Sequence, residues 1–249
     1  MFSWLRGRLG RLKSERTLPP NTRVYAVGDV HGCLGPLNAL LAKIEADATG
    51  FVGAKVLVYL GDYVDRGPES KAVIDCVLAG RDGFETRAIR GNHDQTLLDF
   101  LQDPNLFREW RDYGARETLM SYGVVPPLFD NEQAFAVARA ALLTAMPQRH
   151  LDFLAQLPFG FEIGDYYFVH AGVRPGVKLA QQMPEDLLWI RDDFLLSGAD
   201  FGKIVVHGHT PTEAPVRRAN RIGVDTGAYV TGRLTAAVLE GTDCRFLSS

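Results

Sequence analysis

The chain reads as an α/β protein: two mixed β-sheets packed as a sandwich and flanked by helices. Three observations predict this. Over residues 24–101, apolar strand-like runs alternate with segments of helical periodicity; residues 105–157 carry helical patterns only; and strands dominate from residue 159 onward. Alternating strand and helix units give a largely parallel sheet, whereas strands joined by tight turns pair antiparallel. With 46% hydrophobic and 23% charged residues over 249 positions, the chain has apolar material for a sizeable core.

After Leu18-Pro19-Pro20, Val24–Val27 reads as the first strand. Leu37, Leu40, Leu41 and Ile44 recur at helical spacing, which predicts an amphipathic helix over 36–48. The same reading gives a strand at Val56–Leu60, a helix at Ala72–Leu78, a strand at Thr86–Ile89 and a helix at Gln95–Leu101. The helical block, a predicted insertion over about 103–158, then holds Leu106…Trp110, Thr118…Tyr122, Ala134…Met146 and Leu151…Leu157, closing at Pro158. Phe159–Ile163 and Tyr166–Val169 flank Gly164-Asp165, a two-residue hairpin turn. Further strands are expected at Ile204–Val206, Arg221–Val224, Leu234–Leu239 and Cys244–Leu247.

Composition narrows the function. A formal charge of -3 gives no global drive toward nucleic acid. No apolar run approaches the ~20 residues of a membrane span. Three cysteines, Cys33, Cys76 and Cys244, are odd in number and form no CxxC, which argues against a disulfide framework or thiolate zinc site and fits a reducing cytoplasm. Residues 1–20 form a basic arm before one domain at 21–249. Its Arg6, Arg8, Arg11, Lys13 and Arg16 meet only Glu15, while Phe2, Leu5, Leu9 and Leu12 repeat at helical spacing. Contact with a membrane surface is one reading of that pattern; a solvated terminal arm is the favoured one, since Gly7 and Gly10 weaken a helix.

The chemistry collects at strand ends. Val24–Val27 runs into Gly28-Asp29-Val30-His31-Gly32, and Val56–Leu60 into Gly61-Asp62-Tyr63-Val64-Asp65-Arg66-Gly67. Thr86–Ile89 runs into Arg90-Gly91-Asn92-His93-Asp94, Tyr166–Val169 into His170-Ala171-Gly172, and Ile204–Val206 into His207-Gly208-His209-Thr210. Five of the six histidines lie in these segments; His150 does not. Carboxyl ends of parallel strands gather on one edge, where loops build sites. The resulting Asp, His and Asn set is a mixed oxygen and nitrogen donor set suited to Mn²⁺, Fe or Zn²⁺. At least six good ligands converge, enough for two ions sharing a bridge, a known device for displacement at phosphorus. Taken singly, several of these segments have plainer readings, such as Asp94 capping a helix over 95–101. Two acids and an arginine after a buried strand have few structural uses.

Together, GDxHG, GDxVDRG, GNH, HAG and a late GH, in this order over residues 28–210, resemble the phosphoprotein phosphatase family of metallophosphoesterases. Asp225-Thr226-Gly227-Ala228 and Leu234-Thr235 further resemble the bacterial and phage-type serine/threonine protein phosphatase branch. The resemblance implies a calcineurin-like sandwich and two divalent metal ions, Mn²⁺ foremost. By motif position Asp29 and His31 would hold the first ion, Asp62 would bridge, and Asn92, His170 and His209 would hold the second. A water acidified by both ions would attack phosphorus in line with the leaving oxygen. His93 would be the general acid, oriented by Asp65. Arg66, Arg90 and, on a short Trp-x-Arg pattern, Arg191 would grip phosphoryl oxygens. His207 is left as a spectator, and Cys33 as a small packed residue.

The implied activity is hydrolysis of phosphoserine or phosphothreonine in a protein or peptide substrate. A second reading is symmetrical diadenosine tetraphosphatase activity on the same scaffold. Those relatives tend to lack the second aspartate of GDxVDRG and to end in GHW, so Asp65 and Thr210 favour the phosphatase; Asp94, where protein phosphatases mostly carry Glu, points the other way. A third reading, a non-catalytic scaffold, fits poorly because His93 and all six ligand positions are intact.

Overall fold

The structure, a computed structural model, describes residues 16–249. The basic amphipathic pattern at 1–15 lies outside the described residues. The first part of the chain alternates as expected: β1 (Thr22–Val27), α1 (Leu34–Ala48), β2 (Ala54–Tyr59), α2 (Ser70–Ala79), β3 (Glu85–Ala88) and α3 (Asn92–Gln102). The insertion follows as α4 (Phe107–Trp110), α5 (Ala115–Ser121), α6 (Glu132–Ala145) and α7 (Gln148–Gln156). The last part holds β4 (Gly160–Ile163), β5 (Tyr166–Val169), two short helices α8 (Pro184–Trp189) and α9 (Asp192–Leu195), and β6 (Ile204–His207). It closes with β7 (Val216–Arg217), β8 (Arg221–Gly223), α10 (Ala228–Thr231), β9 (Thr235–Glu240) and β10 (Asp243–Ser248).

Two five-stranded mixed sheets result. The first has the order β10-β9-β1-β2-β3 and the second β4-β5-β6-β8-β7. β1, β2 and β3 are parallel, while β9 returns antiparallel beside β1. In the second sheet β5, β6 and β8 are parallel and β4 forms the anticipated hairpin, with Ile163 opposite Tyr166 across Gly164-Asp165. The alternation of side chains along β1 explains the sandwich. Val24 and Ala26 face inward and join Val56, Val58, Phe168, Val206 and Ile222 between the sheets. Tyr25 and Val27 face outward and are covered by Leu37, Leu40, Leu41 and Ile44 of α1. Both faces of the strand are therefore apolar, as a central strand requires. The outer face of the second sheet packs Tyr167, Val169 and Val205 against Leu187, Ile190 and Phe194.

Two differences from the sequence reading matter. The helix expected at 95–101 begins three residues earlier, at Asn92. Gly91, not Asp94, is its N-cap, and the Asp94 carboxylate reaches back to accept the Gly91 N–H at 2.9 Å. Asn92 and His93 thus sit on a rigid first turn rather than a loop. The two-residue β7 was not anticipated, being too short to leave a periodic signal. No helix among the described residues is long and apolar enough to cross a membrane.

Candidate metal centre and proton donor

The parallel strands β1, β2 and β3 all end on the same edge, and β5 and β6 end opposite them across the sandwich. Backbone hydrogen bonds stitch the loops together there: His31 N–H donates to Asp62 O at 2.8 Å, and Gly208 N–H to His170 O at 2.9 Å. The backbone is bent hard to achieve this. Among the described residues six non-glycines have positive φ, and five of them are His31, Asp62, Asp65, Arg66 and His209. Each such conformation costs about 1–3 kcal/mol unless its surroundings fix it, and such outliers cluster at functional sites. Two glycines admit the closest approaches. A Cβ on Gly91 would lie 2.0 Å from Asp62 Oδ1, and one on Gly208 would lie 2.0 Å from Asp29 Oδ1.

All six residues expected to hold metal come together, and all are buried. The Nε2 atoms of His31 and His170 each lie 3.4 Å from Asp62 Oδ2. His31 Nδ1 contacts Val64 O at 2.9 Å and His170 Nδ1 contacts Leu60 O at 2.8 Å. Carbonyls only accept, so each Nδ1 carries the proton and each Nε2 presents a lone pair. The oxygen Asn92 Oδ1 lies 2.8 Å from His170 Nε2 and 2.9 Å from His209 Nδ1. Asp29 accepts the His209 N–H, and Asp62 Oδ1 accepts the His93 N–H at 3.0 Å.

The donor set fits a cation. His170 Nε2 faces both Asp62 Oδ2 and Asn92 Oδ1, an acceptor beside two acceptors with no proton between them. His209 Nε2 is buried with no partner among the described residues. Burial pushes the Asp62 carboxyl up to about 6; for Asp29, burial and then the neighbouring Asp225 and Asp62 push it well above its ordinary value. Burial likewise drives the imidazoles down, to about 4 for His170 and about 2 for His209, so they are neutral near pH 7. Carboxylates short of positive charge beside neutral imidazoles are what divalent ions would satisfy. Asp29, Asp62 and His170 form one triad of close ligand atoms, and His31, Asp62 and His93 another, with Asp62 shared.

Beside the ligands, His93 Nδ1 contacts Asp65 Oδ2 at 2.7 Å. Burial alone would lower the His93 pKa, but the Asp62 charge and the Asp65 hydrogen bond outweigh it and hold the imidazole above its ordinary value. The Asp65 carboxylate also accepts from Trp110 Nε1 at 2.8 Å and Thr118 Oγ1 at 2.6 Å. Both partners come from the insertion, and both escaped the sequence reading: within a helical pattern a tryptophan and a threonine read as core.

The arginines divide. Arg66 lies over the Tyr229 ring, which packs edge-on to His31 with ring centroids 5.2 Å apart. Arg191 donates from Nη1 to Thr210 Oγ1 at 3.2 Å and is close enough to depress the pKa of His209. Arg90, expected beside them, is tied elsewhere. Its Nη1 donates to Gln95 Oε1, its Nη2 donates to the Leu154 and Ala155 carbonyls, and its guanidinium lies over Phe159. It links the end of β3 to α7 instead of presenting its N–H groups to the ligand cluster.

Three further residues clarify the rest. Asp94, left open in the sequence, is fully buried and accepts the N–H groups of Asp62, Tyr63 and Gly91, so it shapes the loop bearing Asp62. His207 packs edge-on against Phe194 and belongs to neither ligand triad. Burial raises the Cys33 thiol to about 11, which suits a packed residue and not a reactive thiolate.

Comparison with known proteins agrees with this architecture. The chain is 31% identical to serine/threonine-protein phosphatase 1 of Salmonella typhimurium, over 87% of this chain and 92% of that protein. It is 26% identical to the asymmetrical bis(5'-nucleosyl)-tetraphosphatase PrpE of Anoxybacillus flavithermus, over 84% and 87% respectively. Its fold resembles that of a candidate diadenosine tetraphosphatase of known structure, with a TM-score of 0.64 at 23% identity over 93% of this chain and 96% of that one. A model of the calcineurin-like phosphoesterases matches residues 22–238, from the first residue of β1 to the middle of β9, and the chain belongs to that family.

Proposed function

We propose that the chain is a metal-dependent phosphomonoester hydrolase whose substrates are phosphoserine and phosphothreonine in proteins or peptides. The observation that carries the reading is the His93–Asp65 pair placed directly beside the ligand cluster. A serine or threonine alkoxide is a poor leaving group and needs a proton as it departs. Asp29, His31, Asp62, Asn92, His170 and His209 would hold two divalent ions, Mn²⁺ foremost, which when bound supply positive charge at the phosphoryl group and a water acidic enough to attack phosphorus. The chain's own residues do the rest. With Nδ1–H donating to Asp65, His93 holds a second proton on Nε2 in its imidazolium form, which the Asp62 charge and the Asp65 hydrogen bond favour, and that proton would pass to the leaving oxygen. Arg66 and Arg191 flank the cluster with planar donors suited to phosphoryl oxygens.

Dinucleoside polyphosphate cleavage is the competing reading, since curated relatives include bis(5'-nucleosyl)-tetraphosphatases. Asp94, the residue that points that way, is fully buried and accepts backbone amides of the loop bearing Asp62. Asp65, whose counterpart the symmetrical tetraphosphatases tend to lack, is fully buried and bonded to His93. The deciding experiment compares turnover of a phosphoserine peptide with that of diadenosine tetraphosphate, with Mn²⁺ and with EDTA. Faster peptide turnover, abolished by EDTA, is expected. Faster dinucleotide cleavage would overturn the substrate assignment, and metal-loaded protein inert toward both would overturn the enzyme reading.

A further inference from the structure

We infer that Trp110 and Thr118 of the helical insertion are positioning residues that hold Asp65, and through it the proton donor His93, in working geometry. The inference rests on the reading of His93 as general acid.

Asp65 is fully buried. Its carboxylate has three donors on two oxygens: His93 Nδ1 and Trp110 Nε1 on Oδ2, and the Thr118 hydroxyl on Oδ1. With His93 alone, the carboxylate could rotate about its last bond and take the imidazole with it, leaving buried lone pairs unpaired. With donors on both oxygens its plane is fixed. Thr118 closes the arrangement, because the same Oγ1 that donates to Oδ1 accepts the Asp65 N–H at 2.8 Å. Ser70 Oγ stands 3.2 Å from both that N–H nitrogen and Thr118 Oγ1. Trp110 is locked in turn by Phe100 and Phe107, whose ring centroids lie 4.9 and 6.2 Å from its own.

A buried tryptophan needs some acceptor for its N–H, and a backbone carbonyl would serve if packing were its only role. Here both insertion residues choose the one carboxylate that orients the donor. The backbone between them approaches the same loop: a Cβ on Gly114 would lie 2.3 Å from Arg66 N, so the turn between α4 and α5 packs closely on the Asp65-Arg66 pair, with φ of 70° and 67°. The side-chain hydrogen bonds of Trp110 and Thr118 run to Asp65 and Ser70 and to none of the six proposed metal ligands. The insertion therefore supports proton donation separately from metal binding.

The test uses the full chain and compares phenyl phosphate, whose leaving group needs a proton, with p-nitrophenyl phosphate, whose leaving group hardly does. Trp110→Phe and Thr118→Val should slow phenyl phosphate turnover by about tenfold or more, and p-nitrophenyl phosphate by less than about threefold. Metal content by elemental analysis should match wild type, and Thr118→Ser, which restores the hydroxyl, should recover most of the phenyl phosphate rate. Equal losses on both esters with metal retained, no loss on either, or no recovery with Thr118→Ser would overturn the inference. If Thr118→Val does not fold, Trp110→Phe, which keeps the ring packing, decides on the same criterion. Failure of wild type to hydrolyse either ester would instead remove the general-acid reading, and the inference with it.

Discussion

Asp62 and His93 are bonded to each other, the carboxylate accepting the histidine's backbone N–H, yet their side chains face different tasks. Asp62 is the one carboxylate shared by both triads of close ligand atoms, whereas the His93 side chain is anchored by Asp65. Asp62→Asn exchanges a shared anion for a neutral amide, and the protein should bind less than half its wild-type metal, measured by elemental analysis after gel filtration. His93→Asn should keep metal but slow turnover of a phosphoserine peptide by about 10²–10⁴-fold, the usual contribution of a positioned proton donor. The same variant should lose far less on p-nitrophenyl phosphate. Equal impairment on activated and poor leaving groups would show that His93 is not the acid.

Elements place these residues through contacts with no room for a side chain, and that is testable one glycine at a time. Gly91 caps α3 with φ of -94°, which any residue can adopt, so the obstacle to alanine there is Asp62, whose Oδ1 would lie 2.0 Å from the new Cβ. Gly91→Ala should therefore leave the circular dichroism spectrum intact while depleting metal. Gly35, exposed in the first turn of α1 with nothing near its missing Cβ, is the counterpart: Gly35→Ala should stabilise the protein by about 0.5–1 kcal/mol in urea unfolding. The contrast also bears on what the sequence could and could not tell. Apolar runs ending in Gly, Asp, Asn and His marked the ends of β1, β2, β3, β5 and β6 as carriers of a site, because an ionised carboxylate at the end of a buried strand must find a positive partner, and the choice of six ligands within them came from motif position. The partners of Asp65 were hidden, since Trp110 and Thr118 lie 45 and 53 residues away and read locally as ordinary helix positions. Arg90 was expected at the phosphate from its place in the motif; its hydrogen bonds to α7 depend on where the last turn of that helix falls in space.

At the scale of the whole molecule, two opposed sets of buried groups make metal binding a pH-dependent part of stability. Burial raises Asp62 and Asp225 to about 6 and lifts Asp29 well above its ordinary value. The contribution of Asp62 and Asp225 to metal-free stability is full below the unfolded carboxylate range and is lost as pH rises through about 6, and Asp29 acts in the same sense. His170, at about 4, and His209, at about 2, act in the opposite sense, and their contribution is lost as pH falls below the unfolded histidine value toward 4. Between about pH 4 and 6.5 the two sets act in opposite senses, so their effects on the Tm of the metal-free protein partly cancel. A bound cation would remove that balance, because Asp29 and Asp62, as proposed ligands, would release their protons to hold it. Mn²⁺ at a hundredfold excess over its Kd adds about 2.7 kcal/mol, or about 5–10 °C in Tm for a domain of this size. That increment should be nearly absent at pH 5 and grow as pH passes 6, with EDTA cancelling it throughout. Thermal unfolding at fixed Mn²⁺ over this range measures it, and an increment independent of pH would mean that these carboxylates do not carry the metal.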